Sequence, residues 1–406
     1  MRTAIIGAGA AGMMAAAAAG SDEIVLFEQN EKFGKKVYIT GKGRCNITNN
    51  IDTSEFIEQI NRNPYFCYSA LYTFTNKDMM EFLESKGLPI KIERGNRVFP
   101  ASDKSSDVIK TIEKFVREKH VSVRLNTQVK DIRRRDELFE ITFDGTKELF
   151  DRCIIATGGL SYPSTGSTGF GLKIAEKMGH NIITPVPSLV PIRTAEKWVA
   201  QLKGLSLRNI TLSYKSRGKN ISYFGDLLFN EDGITGPTAL KMSTHGKDFK
   251  EGDLFFIDLK PALSKEQLEK RILRDFSLYL NKEIQNGLSD LLPKRLILPI
   301  LSLCSIDLEK KIHQITKQER EKIIQNIKGV PLTFIELRSF KEAIITNGGI
   351  DTSEIDPSTM ESKIIKGLYF AGEIVDIDAM TGGFNLQLAF STGYLAGISS
   401  GADNGK

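Results

Sequence analysis

The chain of 406 residues predicts an α/β fold, and three features of the sequence lead to that prediction. An apolar segment near the N-terminus runs into a glycine-rich turn and then an alanine-rich helix. A second apolar segment ends at an acidic residue, and similar strand patterns return near the C-terminus. Between them, short strands and then charged helices form a different pattern. We therefore expect a Rossmann-type domain with an inserted β-barrel-like domain and a helical subdomain.

The composition is that of a soluble globular protein. Hydrophobic residues make up 41% and charged residues 26%, which argues against disorder and against a membrane bundle. The 55 basic and 50 acidic residues leave a net charge of +5, too small an excess to indicate nucleic acid by itself. Basic clusters at residues 133–135 and 215–219 are expected to be solvated hairpin edges. The 4 cysteines and 4 histidines are scattered, so we expect neither a dithiol redox centre nor a bound metal.

Residues 4–20 carry no charge, which is also a property of signal peptides and membrane spans. Gly7, Gly9 and Gly12 break this run into a strand and a helix, and the run is shorter than the roughly 20 residues that a span needs. We therefore expect a cytoplasmic protein that makes no contact with the membrane.

The glycine-rich turn has the context that binds a dinucleotide. The segment Arg2–Ile6 predicts a buried strand, and a helix is expected to begin at Ala10. In such a turn the first glycine, Gly7, allows a tight bend, and the second, Gly9, lets the backbone approach a pyrophosphate. The third, Gly12, lets the helix pack against the strand. The phosphates then meet free N–H groups at the start of the helix.

The second predicted strand, Glu23–Phe27, ends at Glu28, which follows Gly7 by 21 residues. A carboxylate at this position accepts hydrogen bonds from the ribose of an adenosine and repels the 2′-phosphate of NADP. Strand, helix, second strand and acid together predict a bound dinucleotide. The alternative is a glycine-rich turn that serves packing alone.

Three further segments favour FAD over NAD, and the first is the loop of residues 34–49. It combines glycines with Lys36, Arg44 and Asn46, so it offers backbone and cationic donors to phosphates and to a ring. The alternative is a solvated basic loop. Cys45 lies within this loop, where we expect a small buried residue, with a covalent flavin link or a reactive thiol as the alternative.

The other two segments lie in the middle and near the end of the chain. Residues 151–159 predict a strand that ends in a glycine pair and passes over a cofactor, and residues 127–129 are expected to offer backbone to an adenine. In residues 367–397 a strand leads through Glu373 to a helix that begins near Phe384. The positive end of that helix would stabilise the negative charge that gathers on the pyrimidine side of a reduced flavin. These features predict a glutathione-reductase-like FAD-binding domain.

The motifs resemble those of the bacterial FAD-binding proteins known as BaiN-like, YhiN-like or aminoacetone-oxidase-family flavoproteins. The resemblance covers nearly the whole chain and is most specific at residues 40–49, 156–163 and 371–387. It implies one tightly bound FAD. In two places this chain departs from the family: Phe170 stands where a charged residue is common, and residues 230–232 (Asn-Glu-Asp) stand where a Thr-His pair is common. The second departure puts any substrate chemistry of that histidine in doubt here.

The motifs and the resemblance together give the residues expected to contact FAD. They lie in the glycine turn, the acidic strand end, the basic loop, the middle strand and the C-terminal run. These residues are Gly7, Gly9, Ala10, Ala11, Gly12, Glu28, Gln29, Lys36, Gly43, Arg44, Cys45, Asn46, Val129, Ala156, Thr157, Gly158, Gly372, Glu373, Asp376, Gly383, Asn385, Leu386 and Gln387. No catalytic side chain follows from the sequence. Tyr162 could reach the flavin, but a packing role is at least as well supported.

The change of pattern along the chain predicts its domains. Residues 1–188 and 347–406 are assigned to the FAD-binding domain, in which residues 54–120 form a helical excursion. Residues 189–260 and 331–346 are assigned to the β-rich inserted domain, and residues 261–330 to the helical subdomain.

An aromatic cluster lies within the helical excursion. We expect it to fill a core, with a lid over the site as the alternative. Its members are Tyr65, Phe66, Tyr68, Tyr72 and Phe74.

The leading hypothesis is an FAD-dependent oxidoreductase that moves two electrons between the flavin and a small organic or steroid-like substrate, held between the FAD domain and the insertion. The sequence has no second glycine fingerprint, so NAD(P)H is expected only as a transient co-substrate, with dioxygen as another partner. The alternatives are a flavin-dependent RNA-associated protein and a non-catalytic interaction protein stabilised by FAD. The substrate, the direction of electron transfer and the oligomeric state do not follow from the sequence.

Overall fold

The computed structural model describes residues 1–216 and 218–402 and divides into two compact units. The first unit comprises Met1–Pro187 and Phe340–Lys406, and the second comprises Ser188–Ser339. In the described ranges, no helix combines the length and the apolar character needed to cross a lipid bilayer. Of the two basic clusters, residues 133–135 lie at the end of a hairpin strand, whereas residue 217 falls outside the described residues.

The N-terminal part of the first unit contains both strands and helices. Its strands are β1 (Arg2–Ile6), β2 (Glu23–Phe27), β3 (Thr48–Asn49), β4 (Ile60–Arg62), β5 (Ile90–Glu93), β6 (Arg97–Pro100), β7 (Ser122–Arg124), β8 (Val129–Arg135), β9 (Leu138–Phe143), β10 (Thr146–Phe150), β11 (Arg152–Ile155) and β12 (Ile182–Ser188). Its helices are α1 (Ala10–Ala18), α2 (Lys35–Ile39), α3 (Thr53–Ile57), α4 (Tyr68–Thr73), α5 (Asn76–Ser85), α6 (Ser105–Glu118) and α7 (Phe170–Lys177). The segment of residues 54–120 therefore contains short strands as well as helices.

The second unit consists of a closed barrel and a group of helices. Its strands are β13 (Ile192–Thr194), β14 (Ser206–Ser216), β15 (Lys219–Phe229), β16 (Gly233–Thr235), β17 (Leu254–Asp258) and β18 (Val330–Leu337). Its helices are α8 (Pro237–Ser243), α9 (Lys265–Leu278), α10 (Ile284–Gly287), α11 (Lys294–Cys304) and α12 (Lys317–Lys328). The barrel strands follow the order β13-β16-β15-β14-β17-β18. Capping boxes at Ser264 and Thr316 fix the starts of α9 and α12.

The chain then returns to the first unit. The final elements are β19 (Ile345–Ile350), β20 (Leu368–Phe370), β21 (Asp378–Ala379) and α13 (Phe384–Gly401). β20 completes a parallel sheet in the order β20-β11-β1-β2-β7. Apolar residues dominate its central strand β1 because strands in the middle of a parallel sheet are covered on both faces. Since the strands are parallel, their carboxyl ends lie along one edge, where ligands bind in such folds.

Helices α1 and α13 pack closely because small residues face each other. A β-carbon added at Gly393 would lie 2.2 Å from the carbonyl oxygen of Ala11, and one added at Gly397 would lie 2.5 Å from that of Ala15. The two glycines are four residues apart and therefore share one face of α13. This packing brings the C-terminal run against the helix that follows the glycine turn.

The aromatic cluster differs in part from the expectation that it fills a core. Phe66 and Phe74 do pack into the core of the first unit. Tyr65, Tyr68 and Tyr72 are exposed, by 81%, 41% and 57%, and their rings form a stacked row with centroid distances of 6.1 and 6.0 Å. Residues three and four positions apart share a helical face, and the phenol groups tolerate water. The prediction was therefore wrong for the three tyrosines.

Candidate functional site

The candidate site lies where three neighbouring strands of the parallel sheet end. β1 runs into Gly7, β2 into Glu28 and β11 into Ala156. The backbone of Gly7 has a φ of +101°, which favours glycine, and a β-carbon there would lie 2.8 Å from the carbonyl oxygen of Ala156. The predicted strand ends therefore meet at one edge of the sheet.

Gly9 and Gly12 have contrasting surroundings. A β-carbon on Gly12 would lie 1.8 Å from the carbonyl oxygen of Gly7, so this position requires glycine. On Gly9, nothing in the described chain lies within 4 Å of such a carbon. Gly9 caps α1 without a side-chain hydrogen bond, and Ala10 and Ala11 form the first turn, whose N–H groups have no partner within the helix. Open space beside an uncapped helix start fits a pyrophosphate.

Glu28 ties the end of β2 to the glycine turn. Its buried carboxylate accepts hydrogen bonds from the backbone N–H of Ala8 at 2.8 Å and from the backbone and side-chain N–H groups of Asn30 at 2.9 and 2.6 Å. The carboxylate is therefore held at the position where a Rossmann fold places the ribose of its dinucleotide.

The predicted adenine side lies next to Glu28. The side-chain amide of Gln29 donates to the carbonyl oxygen of Gly166 at 2.8 Å. The N–H of Thr127 donates to the carbonyl oxygen of Glu28 at 2.9 Å, and Val129 begins β8 two residues later. The structure thus brings Gln29 and Val129 to the same strand end.

A hydrogen-bonded cluster joins distant parts of the first unit. The ammonium group of Lys36 lies 2.5 Å from a carboxylate oxygen of Glu373 and 2.5 Å from the hydroxyl of Ser161. Ser161 donates to the other oxygen of Glu373, which also accepts from the backbone N–H of Thr346 at 2.8 Å. The side chains of Lys36 and Glu373 are only 23% and 21% exposed. These two predicted residues therefore bind each other, and Ser161 and Thr346 complete the cluster.

The charge of Arg44 is compensated outside this cluster. Its guanidinium binds Glu93 and Asp103, the latter at 2.6 Å, and lies over the ring of Phe99. The predicted basic loop therefore divides: Lys36 reaches the cluster, whereas Arg44 pairs with carboxylates of its own.

Cys45 is fully buried, as expected for a small packing residue. Burial raises the pKa of its thiol to about 12. A thiol that stays protonated is a poor nucleophile, which argues against the reactive-thiol alternative. Gly43, two residues before Cys45, has a φ of +85°, so the chain turns sharply at this point.

The start of α13 is closed around Gly383. This residue caps the helix with a φ of +100°, and a β-carbon on it would lie 2.4 Å from the carbonyl oxygen of Thr48. In the amide orientation that satisfies both ends of its side chain, Asn46 accepts from the N–H of Gly383 at 3.1 Å. Asn385 accepts from the N–H of Ala379 at 2.9 Å and donates to its carbonyl oxygen at 2.7 Å. Asn46, Gly383 and Asn385 thus meet at the helix start.

The remaining predicted residues lie after β11, beside the glycine turn, and in or near α13. Thr157 and Gly158 follow β11, and Gly158 has a φ of +72°. Gly372, with a φ of +79°, approaches the glycine turn so closely that a β-carbon would lie 2.8 Å from that of Ala11. The buried carboxylate of Asp376 is instead paired with Arg62 at 2.7 Å. In α13, Leu386 packs against the core, and the amide of Gln387 donates to the carbonyl oxygen of Phe74 at 3.3 Å.

Several buried polar atoms at these strand ends and at the start of α13 have no hydrogen-bond partner in the described part of the chain. All of them are oxygen atoms that can accept. They are Oγ1 of Thr48 and Thr157, Oδ1 of Asn49 and Asn347, and Oε1 of Gln387. Because buried polar atoms are almost always paired, these oxygens could accept hydrogen bonds from a bound molecule that carries donors. The ring N–H and the hydroxyl groups of FAD are such donors, so the residues fit this cofactor.

Sequence reasoning did not single out some of these residues as contacts. Ser161, Thr48 and Asn49 lie inside the two motif segments that it did use, and the residue pair Thr346 and Asn347 lies where the chain returns to the first unit. For Ser161, Thr346 and Asn347, a polar side chain close to a glycine pair is the signal that could have found them. Among the described residues, no group of three His, Cys, Asp or Glu side chains is arranged to hold a metal.

Comparison with known proteins extends over almost the whole chain. Residues 1–399 match the family model described as HI0933-like protein Rossmann domain. The chain belongs to this family. The 3-dehydro-bile acid delta(4,6)-reductase of Clostridium scindens is 32% identical over 98% of this chain and 98% of its own length. The ribosomal RNA dihydrouridine synthase of Escherichia coli is 29% identical over 96% of this chain and 95% of its own.

A solved structure agrees with the HI0933-like protein in fold alone. The Sdh1 complex of Mycobacterium smegmatis in its apo form matches with a TM-score of 0.51 at 17% identity, over 98% of this chain and 68% of that chain. Together with the family match, these findings confirm the resemblance, the Rossmann-type FAD-binding fold with a barrel, and the assignment as an FAD-dependent oxidoreductase. The contacts of individual residues with FAD stay predictions.

Proposed function

We propose that this HI0933-like protein reduces a carbon–carbon double bond conjugated to a carbonyl group, with FAD as the redox cofactor. One relative is named a reductase of 3-dehydro-bile acids at positions 4 and 6, and another is named a synthase of dihydrouridine. In a 3-oxo-4-ene steroid and in uridine alike, the bond to be saturated is conjugated to a carbonyl group. Relatives that match this chain over almost its full length thus share one reaction on two substrates, and this observation carries the proposal.

When bound, FAD supplies the two electrons as a hydride. The residues of this chain would hold it and balance its charge. We assign the pyrophosphate to the open turn at Gly9 and the adenosine ribose to Glu28, because the space and the carboxylate lie there. We assign the flavin ring to the start of α13, beside Asn46 and Asn385, because the helix dipole there favours a ring that becomes negative on reduction.

We assign the supply of electrons to NAD(P)H acting as a transient co-substrate. The sequence carries one glycine fingerprint, which the FAD pyrophosphate would occupy. A nicotinamide would therefore bind only long enough to transfer its hydride.

The test starts from purified holoprotein under anaerobic conditions. NADH, NADPH and dithionite are added separately, and bleaching of the flavin absorbance is followed. The reduced protein is then mixed with a 3-oxo-4-ene steroid, a small enone or uridine, and with the matching saturated compounds as controls. Reoxidation by a conjugated compound and not by its saturated control supports the proposal. A reduced flavin that only dioxygen reoxidises contradicts it and favours an oxidase.

A second candidate substrate is a uridine within RNA, and the exposed row of Tyr65, Tyr68 and Tyr72 favours it. Aromatic faces stack on unpaired bases, with about 1–3 kcal/mol per base. The row leads into Phe74, whose carbonyl oxygen accepts hydrogen bonds from Gln387 and from Ser391 of α13. An RNA strand on the row would therefore lie beside the helix that we assign to the flavin.

This candidate is tested with ribosomal RNA fragments that contain unpaired uridines. We expect binding that weakens steeply with salt, weaker binding by Tyr68→Ala, and a mass increase of two hydrogens in the RNA after reduction. Tight binding without that mass change would favour the RNA-associated alternative. No binding at low salt would leave a small conjugated ketone as the substrate class.

A further inference from the structure

Tyr162 has a backbone conformation that bulky residues rarely adopt. Its φ of 52° and ψ of 60° lie in the left-handed region, and Pro163 follows directly. For an aromatic residue this conformation is strained, and such strain persists only where the surroundings impose it. Strained residues concentrate at active sites, so Tyr162 merits a functional explanation.

Hydrogen bonds on both sides hold Tyr162 in place. The N–H groups of Leu160 and Ser161 donate to the hydroxyl oxygen of Thr346 at 2.8 and 3.1 Å. The N–H of Tyr162 itself donates to the carbonyl oxygen of Phe340 at 3.0 Å. Its carbonyl oxygen accepts from both the N–H and the hydroxyl of Thr165 at 2.8 Å. The loop therefore fixes the position from which this side chain projects.

The preceding residue places the loop at the candidate site. Ser161 is fully buried and shares hydrogen bonds with Lys36 and Glu373, the cluster between the basic loop and the C-terminal run. The loop begins at the carboxyl end of β11, beside the glycine turn. The strained residue therefore lies next to side chains that we assign to the cofactor site.

The phenol of Tyr162 is available for chemistry. It is partly buried, and within the described residues its hydroxyl has no hydrogen-bond partner. Some tyrosines of the chain pair theirs: Tyr223 contacts His245 at 2.8 Å, and Tyr279 donates to Asp290 at 2.9 Å. A fixed but unpaired phenol can donate its proton to a bound substrate.

We propose that Tyr162 is the catalytic acid that protonates the carbon next to the substrate carbonyl, an assignment that rests on the proposed function. The β-carbon of the substrate receives a hydride, which carries two electrons, and the electrons of the double bond move onto the carbonyl oxygen as an enolate. The O–H bond of Tyr162 then breaks, and its proton forms the new C–H bond at the α-carbon. The tyrosinate takes a proton from water. NAD(P)H or dithionite supplies the two electrons for the next cycle.

The experiment compares Tyr162→Phe with the wild-type holoprotein. The variant lacks only the hydroxyl, so its affinity for FAD, its unfolding midpoint and its reduction by dithionite should equal those of the wild type. Reoxidation by the conjugated substrate should slow by about 10²–10⁴-fold. With the flavin kept oxidised, the wild type should exchange the α-hydrogen of the saturated ketone with deuterium from the solvent, and the variant should not. Tyr279→Phe, a surface change in the second unit, is the matched control and should behave as the wild type.

Tyr162→Asn keeps the test decisive if the phenylalanine variant folds poorly, because asparagine tolerates the left-handed conformation. It should bind FAD and lose the hydrogen exchange. Reoxidation and exchange at wild-type rates in either folded variant would overturn the assignment. Failure of the proposed function would show differently, since then the wild type itself would reduce no conjugated compound, and the role of Tyr162 would fall with it.

Discussion

Two of the glycine-capped helices of the first unit, α1 and α13, have different surroundings. α1 is capped by Gly9, and nothing in the described chain lies within 4 Å of a β-carbon added there. α13 is capped by Gly383, where such a carbon would lie 2.4 Å from the carbonyl oxygen of Thr48. Neither start has a side-chain cap. The same local signal, glycine before a helix, therefore produces one open and one closed helix start.

The open and the closed helix start suit different parts of FAD. An open start exposes N–H groups and leaves room for a charged phosphate to approach the backbone. At the closed start, the neutral side-chain amides of Asn46 and Asn385 lie around the positive end of the helix dipole. This arrangement suits an uncharged ring that becomes negative only on reduction.

Gly383→Ala should break the closed start and have the largest effect. The new β-carbon meets the backbone of Thr48, and a φ of +100° is strained for any other residue. We expect the free energy of unfolding to fall by about 3 kcal/mol, measured by denaturant unfolding of the apoprotein. Gly329→Ala is the control, because its β-carbon would meet neighbours at an ordinary 3.8 Å. Equal stability of the two variants would mean that the start of α13 is not closed.

Gly9→Ala should separate binding from folding at the open start. The methyl group meets no atom of the described chain, so the unfolding midpoint of the apoprotein should stay at the wild-type value. The same group occupies the space that we assign to the pyrophosphate, so the affinity for FAD should fall by about tenfold or more, that is about 1.4 kcal/mol. Fluorescence titration of apoprotein with FAD measures this. An unchanged dissociation constant would place the pyrophosphate elsewhere.

The open start could be predicted from the sequence, whereas the closed start could be predicted only in part. Gly7, Gly9 and Gly12 act within one turn, so their spacing alone describes the geometry. Gly383 is enclosed by Asn46 and Thr48, which come from the opposite end of the chain. The periodicity of the sequence carries no information about contacts between such distant residues.

Long-range packing also explains where the expectations and the structure differ. Tyr65, Tyr68 and Tyr72 were expected in a core, but tertiary packing leaves them exposed. The contact of Arg44 with the cofactor stays a prediction, and Glu93 and Asp103, far from it in sequence, compensate its charge in the structure. Local pattern predicts elements and turns, and long-range pairing decides which polar groups remain for a ligand.

Glu373→Gln should weaken the cluster that joins the basic loop to the C-terminal run. The variant leaves the ammonium of Lys36 without its carboxylate partner in a largely buried position. We expect a loss of about 2 kcal/mol in the free energy of unfolding, because hydrogen bonds to charged groups contribute about that much. Ser161→Ala should cost less, about 1 kcal/mol. A double variant with Lys36→Met and Glu373→Gln tests the coupling. If its loss in the free energy of unfolding equals the sum of the losses in the two single variants, the two side chains are not coupled.

The smallest expected effect is the dependence of stability on pH. The amides at the start of α13 do not titrate, so this dependence must come from another group. His180 is buried, with Nε2 at 2.8 Å from the hydroxyl of Ser362, and burial lowers its pKa from the ordinary 6.5. The folded protein therefore keeps His180 neutral where the unfolded chain already binds a proton. Its contribution to stability is full above pH 6.5 and declines as the pH falls below that value, by at most about 1.4 kcal/mol per pH unit. Unfolding of the wild type and of His180→Gln between pH 7.5 and about pH 5 should show a shallower slope for the variant. Parallel slopes would mean that His180 titrates alike in both states.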